Sequence, residues 1–165
     1  MKRAVLALAL LLASAAAAAA QSTVFVVRHA ERADGGAANG MMGNDPDLSE
    51  AGRARAESLA AVLKDAGITA IYTTKFRRTQ QTAAPLAKAL GLTPATISSR
   101  DTAGLLEKIK AAAGNVLVVG HSNTVPEVVK GLGVTVPVTV GDAEYDNLFI
   151  VRRGEQPAVL RLHYK

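Results

Sequence analysis

Two of the three histidines directly follow short apolar runs of the chain. Arg28 and His29 end the run VFVV that begins at Val24, and His121 follows the run VLVVG. Short apolar runs of this kind are typical of buried strands. An arginine or an imidazole at the end of such a strand indicates a functional site, because full burial of a charged group is costly. The third histidine, His163, lies in a terminal strand-like segment and is predicted to be structural.

A third stretch, YTTKFRRTQQTA from Tyr72 to Ala83, carries Lys75, Arg77 and Arg78 at the junction of a predicted strand and helix. Guanidinium groups bind phosphate oxygens bidentately and stay charged at neutral pH. Two histidines with two or three arginines therefore predict a site for a dianionic phosphoryl group. In such a site one imidazole can attack phosphorus while the cations stabilise the charge in transit.

Strand-like and helix-like segments alternate along the chain, which predicts an α/β sandwich with a mostly parallel central sheet. The predicted strands are Thr23–Val27, Ile68–Tyr72, Pro94–Ile97, Val116–Val119, Asn147–Val151 and Ala158–Tyr164. The predicted helices run from Ser49 to Gly67, from Thr79 to Leu90 (with Pro85 marking a kink or a start near Thr82), from Asp101 to Ala113 and from Thr124 to Lys130. Ligands of such sheets bind beyond the carboxyl ends of the strands. If the first and fourth strands are close, both histidines face one crevice.

The first twenty residues resemble a secretion signal rather than part of the domain. A basic start, Met1-Lys2-Arg3, precedes an apolar stretch and an alanine run with A-x-A cleavage sites. We expect a signal peptide over residues 1–20, one folded domain over residues 21–165, and a periplasmic or secreted protein without stable membrane association once the signal is cleaved. An uncleaved membrane anchor is the alternative.

Composition excludes several classes of site. The chain has no cysteine, so disulfides, thiolate nucleophiles and cysteine-type zinc sites are excluded. Basic residues are spread along the chain and only 4% of residues are aromatic, which argues against nucleic-acid binding and for a small anionic ligand. A metal site from His29, Glu31 and His121 is a minor alternative, and we expect no metal and no cofactor. The glycine-rich segment from Ala33 to Asp47 is either a loop over the substrate or an irregular connection.

Four motifs in order resemble those of the histidine phosphatase superfamily (branch 1, phosphoglycerate mutase-like). They are Arg28-His29-Ala30, similar to the family's R-H-G; DPDLSEAGRARAESLA from Asp45 to Ala60; R-x-x-Q-T-A from Arg78 to Ala83; and GHSNT from Gly120 to Thr124. The resemblance implies a phosphoglycerate mutase-like fold, a three-layer α/β/α sandwich. It also implies that His29 is the phosphorylated nucleophile and that Arg28, Arg78 and His121 form the phosphate pocket. Ser122, Asn123 and Glu31 are further candidates for that pocket.

The sequence departs from the family pattern at two points. Ala30 stands where the family has glycine, and Ser122 stands where the acid phosphatase members carry an aspartate that donates a proton. Asp101 is the candidate general acid, although an aspartate at such a position is more often a helix N-cap, and Glu31 is a comparable candidate. We therefore expect an exported, metal-independent phosphatase acting on a phosphomonoester or a phosphoramidate. The alternative is a non-catalytic phosphate-binding protein that lacks a working proton donor.

Overall fold

The computed structural model describes residues 22–35 and 45–165. The predicted signal segment and residues 36–44 of the glycine-rich loop lie outside this range. The strands are β1 (Thr23–Arg28), β2 (Ile68–Thr73), β3 (Ala95–Thr96), β4 (Asn115–Gly120), β5 (Asn147–Arg152) and β6 (Ala158–His163). The helices are α1 (Glu50–Leu63), α2 (Arg77–Leu90), α3 (Thr102–Ala111) and α4 (Thr124–Gly131).

The six strands form one sheet in the order β3-β2-β4-β1-β5-β6. The first four are parallel to one another, while β5 and β6 are antiparallel additions at one side, which confirms the mostly parallel sheet. Strands β1 and β4 are direct neighbours, with Arg28 in register with Gly120. The His29 N–H donates a hydrogen bond of 2.9 Å to the Gly120 carbonyl. His29 and His121 therefore leave the sheet side by side.

The sheet has helices on both faces, which confirms the three-layer α/β/α sandwich. Alternate residues of each central strand point to opposite faces, so Val27 packs in the cluster with α1 and α2, and Val26 packs in the cluster with α3 and α4. Both central strands are buried on both faces, which explains why their sequences are continuous apolar runs. Within the described residues, no helix has the length and apolar character needed to cross a membrane.

Helix α1 is fitted closely against the loop that follows β1. The Ser49 hydroxyl caps the helix by accepting a hydrogen bond of 3.0 Å from the Gly52 N–H, as predicted. Gly52 lies against the backbone of Glu31, where a Cβ atom would come within 2.2 Å of the Glu31 carbonyl oxygen. The absence of a side chain at Gly52 thus allows α1 to hold the segment that carries His29.

Helix α2 begins two residues earlier than predicted. The Asp45 carboxylate accepts hydrogen bonds of 2.8 and 3.0 Å from the Arg77 N–H, so a residue distant in sequence caps the helix. The alternative start near Thr82 is wrong, because the helix continues through Pro85 and ends at Gly91 with a left-handed conformation (φ 65°). This early start places Arg77 and Arg78 in the first turn of the helix.

Candidate active site

The two histidines form the centre of the site. Their ring centroids are 5.4 Å apart at an angle of 65°, and both residues are buried, with 4% of His29 and 8% of His121 exposed. This contact joins residues from the ends of two adjacent parallel strands, β1 and β4. The structure therefore brings together the pair that the sequence placed at the ends of its two most apolar strands.

The tautomer of His29 follows from its hydrogen bond. Its Nδ1 lies 2.8 Å from the Ala30 carbonyl oxygen. Because a carbonyl oxygen only accepts hydrogen bonds, Nδ1 carries the proton and Nε2 has a free lone pair. Burial lowers the pKa of His29 to about 3. The hydrogen bond to Ala30 opposes this shift, whereas the charges of His121, Arg78 and Arg28 add to it. His29 is thus neutral at physiological pH, with the electronic form that a nucleophile needs.

His121 is held by a hydroxyl group on the neighbouring strand end. Its Nε2 and the Thr74 hydroxyl oxygen share a hydrogen bond of 3.1 Å, and Thr74 in turn contacts the Thr79 hydroxyl at 3.0 Å. Burial lowers the pKa of His121 to about 4, and the charges of Arg78 and Arg28 lower it further. His121 is therefore also neutral at physiological pH, in a fixed orientation.

Two arginines predicted for the pocket lie next to the histidines. The Arg28 Nη1 donates to the carbonyl oxygens of Gly141, Asp142 and Glu144 at 2.8, 2.8 and 3.3 Å. The Arg78 Nη1 contacts the Asp45 carboxylate at 3.3 Å. In both arginines the buried Nε has no hydrogen-bond partner in the described part of the protein. Unsatisfied buried donors are costly, so these two N–H groups are available for an anionic ligand.

Arg32 is a third arginine of this kind, although no local sequence signal marks it as part of the site. Its Nε is also buried without a partner among the described residues, while its Nη2 pairs with Asp34. Burial lowers the pKa of Arg78, and the charge of Arg32 is the next contribution in the same direction. Arg32 therefore lies within electrostatic range of the pocket, where its charge adds to that of Arg28 and Arg78.

Two aromatic rings complete the walls of the site, and no local sequence signal pointed to them. Phe76 packs edge-on against His121, with centroids 5.3 Å apart, and the Arg78 guanidinium lies 4.3 Å from its ring centre. Tyr145 lies 6.1 Å from His29, and the Arg28 guanidinium lies 4.2 Å from its ring centre. Each pocket arginine thus stacks on an aromatic ring that also contacts a pocket histidine.

Glu31 does not join the histidines, in contrast to its predicted place in the pocket. Its carboxylate is engaged by Arg55, whose Nε and Nη2 donate to Oε1 at 2.9 and 2.6 Å. Burial alone would raise the pKa of Glu31, but the hydrogen bonds from Arg55 and from the Glu31 N–H, together with the charge of Arg55, lower it overall. Arg55 also donates to the Tyr164 carbonyl at 2.8 Å, so this network ties α1 to the end of the chain. The same pairing takes Glu31 away from the metal site considered above.

Asp101, the candidate general acid, is an exposed helix cap. Its Oδ1 accepts a hydrogen bond of 2.9 Å from the Gly104 N–H at the start of α3, the competing role that the sequence also suggested. No contact in the described structure joins Asp101 to either histidine. The carboxylate is thus used in holding α3, and a different group must be sought near the pocket.

Ser122 and Asn123 form the turn between His121 and α4. The His121 N–H donates to the Thr124 hydroxyl at 2.9 Å, which closes this turn. Ser122 is half-buried and Asn123 is exposed, and neither side chain has a hydrogen bond to a described residue. Both are close to His121 in sequence and remain candidates for contacts with a bound phosphate.

Ala30 and the remaining histidine do not alter the site. The Ala30 side chain is fully buried in a cluster with Leu48 and Ala56, so the methyl group that replaces the family's glycine is accommodated beneath α1. His163 lies on the edge strand β6, where its Nδ1 is 3.0 Å from the Asp146 carboxylate. Among the described residues, no group of three histidine, aspartate or glutamate side chains could hold a metal ion.

The sequence model of the histidine phosphatase superfamily (branch 1) matches residues 24–101, from β1 to the residue before α3. Over these residues the chain is similar to that superfamily. The match includes three of the four motifs identified above, and the fourth, at His121, lies on the strand next to β1 in the fold. A search of curated proteins finds no match.

Solved structures with the same fold include several phosphatases. The putative phosphohistidine phosphatase SixA from Agrobacterium tumefaciens is 21% identical with a TM-score of 0.64, over 86% of this chain and 97% of that one. A protein histidine phosphatase SixA complexed with tungstate is 19% identical with a TM-score of 0.64, over 86% and 96% of the two chains. A mycobacterial glucosyl-3-phosphoglycerate phosphatase complexed with VO3 is 15% identical with a TM-score of 0.66, over 87% and 98%. The likeness covers 86–87% of this chain and shows a shared fold.

Proposed function

We propose that this protein is a phosphatase that hydrolyses a small phosphomonoester or phosphoramidate through a phosphohistidine on His29. The observation that carries the proposal is the free lone pair of His29 Nε2 in a buried site where the Nε–H groups of Arg28 and Arg78 lack partners. The match of residues 24–101 to the histidine phosphatase superfamily model supports it. So do the fold neighbours, two of which are described as bound to tungstate or VO3, anions of phosphate-like charge and shape.

The proposed reaction has two steps. In the first, His29 Nε2 attacks phosphorus, the P–N bond forms, and the bond from phosphorus to the leaving oxygen or nitrogen breaks. Arg28, Arg78 and His121 bind the equatorial oxygens as their charge shifts. In the second, water attacks phosphorus, the P–N bond breaks, and inorganic phosphate leaves with His29 neutral again. The hydrogen bond from Nδ1 to Ala30 stabilises the positive charge on the imidazole in the intermediate.

A second candidate function is phosphate binding without catalysis. It is favoured by one observation: the carboxylates of Glu31 and Asp101, the candidate proton donors, are engaged by Arg55 and Gly104. A pocket without a proton donor would bind phosphate or turn over only substrates whose leaving group needs no proton.

The two functions differ in what happens to a labelled substrate. We expect purified protein to hydrolyse p-nitrophenyl phosphate in the presence of a chelator and to yield an acid-labile, base-stable phosphoprotein when quenched early. Both signals should disappear in His29→Ala and persist in His163→Ala, a matched control on the edge strand. Binding of phosphate without turnover or labelling would support the binding protein, and loss of activity with chelator would contradict metal independence.

We also propose that the protein is exported and acts in the periplasm or outside the cell. The support is the signal-like sequence of residues 1–20. Expression of the full chain followed by cell fractionation should give a periplasmic or secreted product that begins near Gln21, as read by mass spectrometry. A full-length product retained with the membrane would indicate the uncleaved anchor instead.

A further inference from the structure

The proposed reaction lacks an identified proton donor for the leaving group. Of the carboxylates discussed above, Glu31 pairs with Arg55 and Asp101 caps α3. Asp45 is nearer to the pocket, but its oxygens accept hydrogen bonds from the Arg77 N–H and from Arg78. Each of these three carboxylates therefore serves a structural contact, which directs attention to the other side chains that lie against the histidines.

Tyr145 is the ionisable side chain that lies against both His29 and Arg28. Its ring centre is 6.1 Å from the His29 ring centre and 4.2 Å from the Arg28 guanidinium carbon. His29 is almost fully buried, whereas Tyr145 is half-buried. Tyr145 therefore lies beside the nucleophile and is partly exposed to solvent. In an in-line displacement the leaving group departs from the side of phosphorus opposite the nucleophile, so its proton donor must be accessible to substrate.

The segment that carries Tyr145 is held firmly. Arg28 binds three of its carbonyl oxygens, and the Glu144 carboxylate accepts hydrogen bonds from the Gly141 N–H at 2.8 Å and from Asn147 at 3.4 Å. Arg161 pairs with the same carboxylate at 3.4 Å. A loop with this many contacts keeps the Tyr145 ring in place, and such positioning is what a proton donor requires.

The other arginine of the pocket provides an internal comparison. Arg78 stacks on Phe76 as Arg28 stacks on Tyr145, and Phe76 also contacts a pocket histidine. Stacking on an arginine and packing on a histidine therefore need no hydroxyl group. The Tyr145 hydroxyl has no hydrogen bond to any described residue, so this polar group is free to meet a substrate.

We propose that Tyr145 is the general acid of the reaction, which rests on the proposed function above. As His29 Nε2 bonds to phosphorus and the bond to the leaving oxygen breaks, the Tyr145 hydroxyl transfers its proton to that oxygen. The Arg28 guanidinium beside the ring stabilises the phenolate that forms. In the second step the phenolate takes a proton from the attacking water, so Tyr145 and His29 both return to their starting forms.

The test compares leaving groups, because a general acid matters most for poor ones. We expect Tyr145→Phe to lower kcat/KM for glycerol phosphate by about a hundredfold or more, the usual contribution of general acid catalysis. The p-nitrophenolate leaving group needs little protonation, so the kcat/KM of the same variant for p-nitrophenyl phosphate should fall less than about tenfold. Tyr72→Phe, whose hydroxyl contacts the Lys108 carbonyl on α3, is the matched control and should behave like the wild type with both substrates.

The outcomes separate this inference from the proposed function. A selective loss with glycerol phosphate, with phosphoprotein still formed from p-nitrophenyl phosphate, supports Tyr145 as the acid. An equal loss of kcat/KM with both substrates, or no loss with either, would show that Tyr145 is not the general acid. In that case turnover by the wild type would still support the proposed phosphatase activity. If the wild type neither hydrolyses nor is labelled by p-nitrophenyl phosphate, both proposals fail.

Discussion

Acidification from pH 7 to pH 5 is predicted to destabilise the protein through its two buried histidines. An imidazole in the unfolded chain has a pKa of 6.5, whereas burial lowers the pKa to about 3 in His29 and about 4 in His121. Between pH 7 and pH 5 the unfolded chain therefore binds about 0.7 more protons at each of these residues, and the folded protein binds almost none. Because the unfolded state gains the protons, stability falls as pH falls.

The size of this effect follows from the same values. Protonation of a group with a pKa of 6.5 stabilises the unfolded chain by about 1.9 kcal/mol between pH 7 and pH 5. The two histidines together therefore lower the free energy of unfolding by about 4 kcal/mol. For a domain of this length the loss corresponds to a fall in Tm of roughly 10 °C. The window stays above the range in which Glu31 and Glu144, whose pKa values are lowered, begin to contribute.

Urea denaturation at pH 7.0, 6.0 and 5.0, followed by far-UV circular dichroism, measures the effect directly. The free energy of unfolding should fall by several kcal/mol in the wild type and by about half as much in His29→Gln. The double variant with His121→Gln should lose most of this pH dependence. A loss below about 1 kcal/mol in the wild type, or the same loss in the double variant, would refute the interpretation of His29 and His121 as buried neutral imidazoles.

Three further predictions concern the contacts that support the site. Arg55→Ala leaves the Glu31 carboxylate partly buried without its main partner, so we expect a loss of about 1–3 kcal/mol in urea denaturation; an unchanged midpoint would contradict this. Gly52→Ala places a methyl group 2.2 Å from the Glu31 carbonyl oxygen, and should lower stability by about 1–3 kcal/mol although alanine is the better helix former. Thermal unfolding measures this loss, with Gly131→Ala as the control because its methyl group meets only the flexible end of Leu106; a Tm equal to or above that of the wild type would count against the close backbone contact. Arg32→Met removes a buried N–H donor near the pocket and should raise KM for p-nitrophenyl phosphate about tenfold with a smaller change in kcat; steady-state kinetics with unchanged KM would show that Arg32 does not contact the phosphate.

The strands, and the position of the two histidines at their ends, could be predicted from the sequence because their signals are local. β1 and β4 are buried on both faces, so each is a continuous apolar run that ends at a histidine. The capped start of α1 at Ser49 was equally local. The start of α2 was not, because the Asp45 carboxylate that caps it comes from a loop thirty residues earlier and the usual signals in the helix itself are absent.

The direction of a polar side chain depends on the whole fold. Glu31 follows His29 by two residues and was predicted to lie in the pocket. In the fold its carboxylate instead forms an ion pair with Arg55 on α1. Arg32 was overlooked because one arginine in a loop resembles a solvated surface residue until its Nε is seen to be buried. These outcomes depend on where α1 packs, which no short motif encodes.

The sequence by itself determined the class of fold, the residue with the features of a nucleophile, and the arginine in register with the family motif, since periodicity, turn residues and short motifs are properties of neighbouring positions. Only the tertiary structure decided that β1 lies beside β4, that His29 carries its proton on Nδ1, and that Phe76 and Tyr145 form the walls of the pocket. The physical reason is that each of these features depends on partners from distant parts of the chain. Those partners determine which strands pair, which ring nitrogen carries the proton and where an aromatic ring packs.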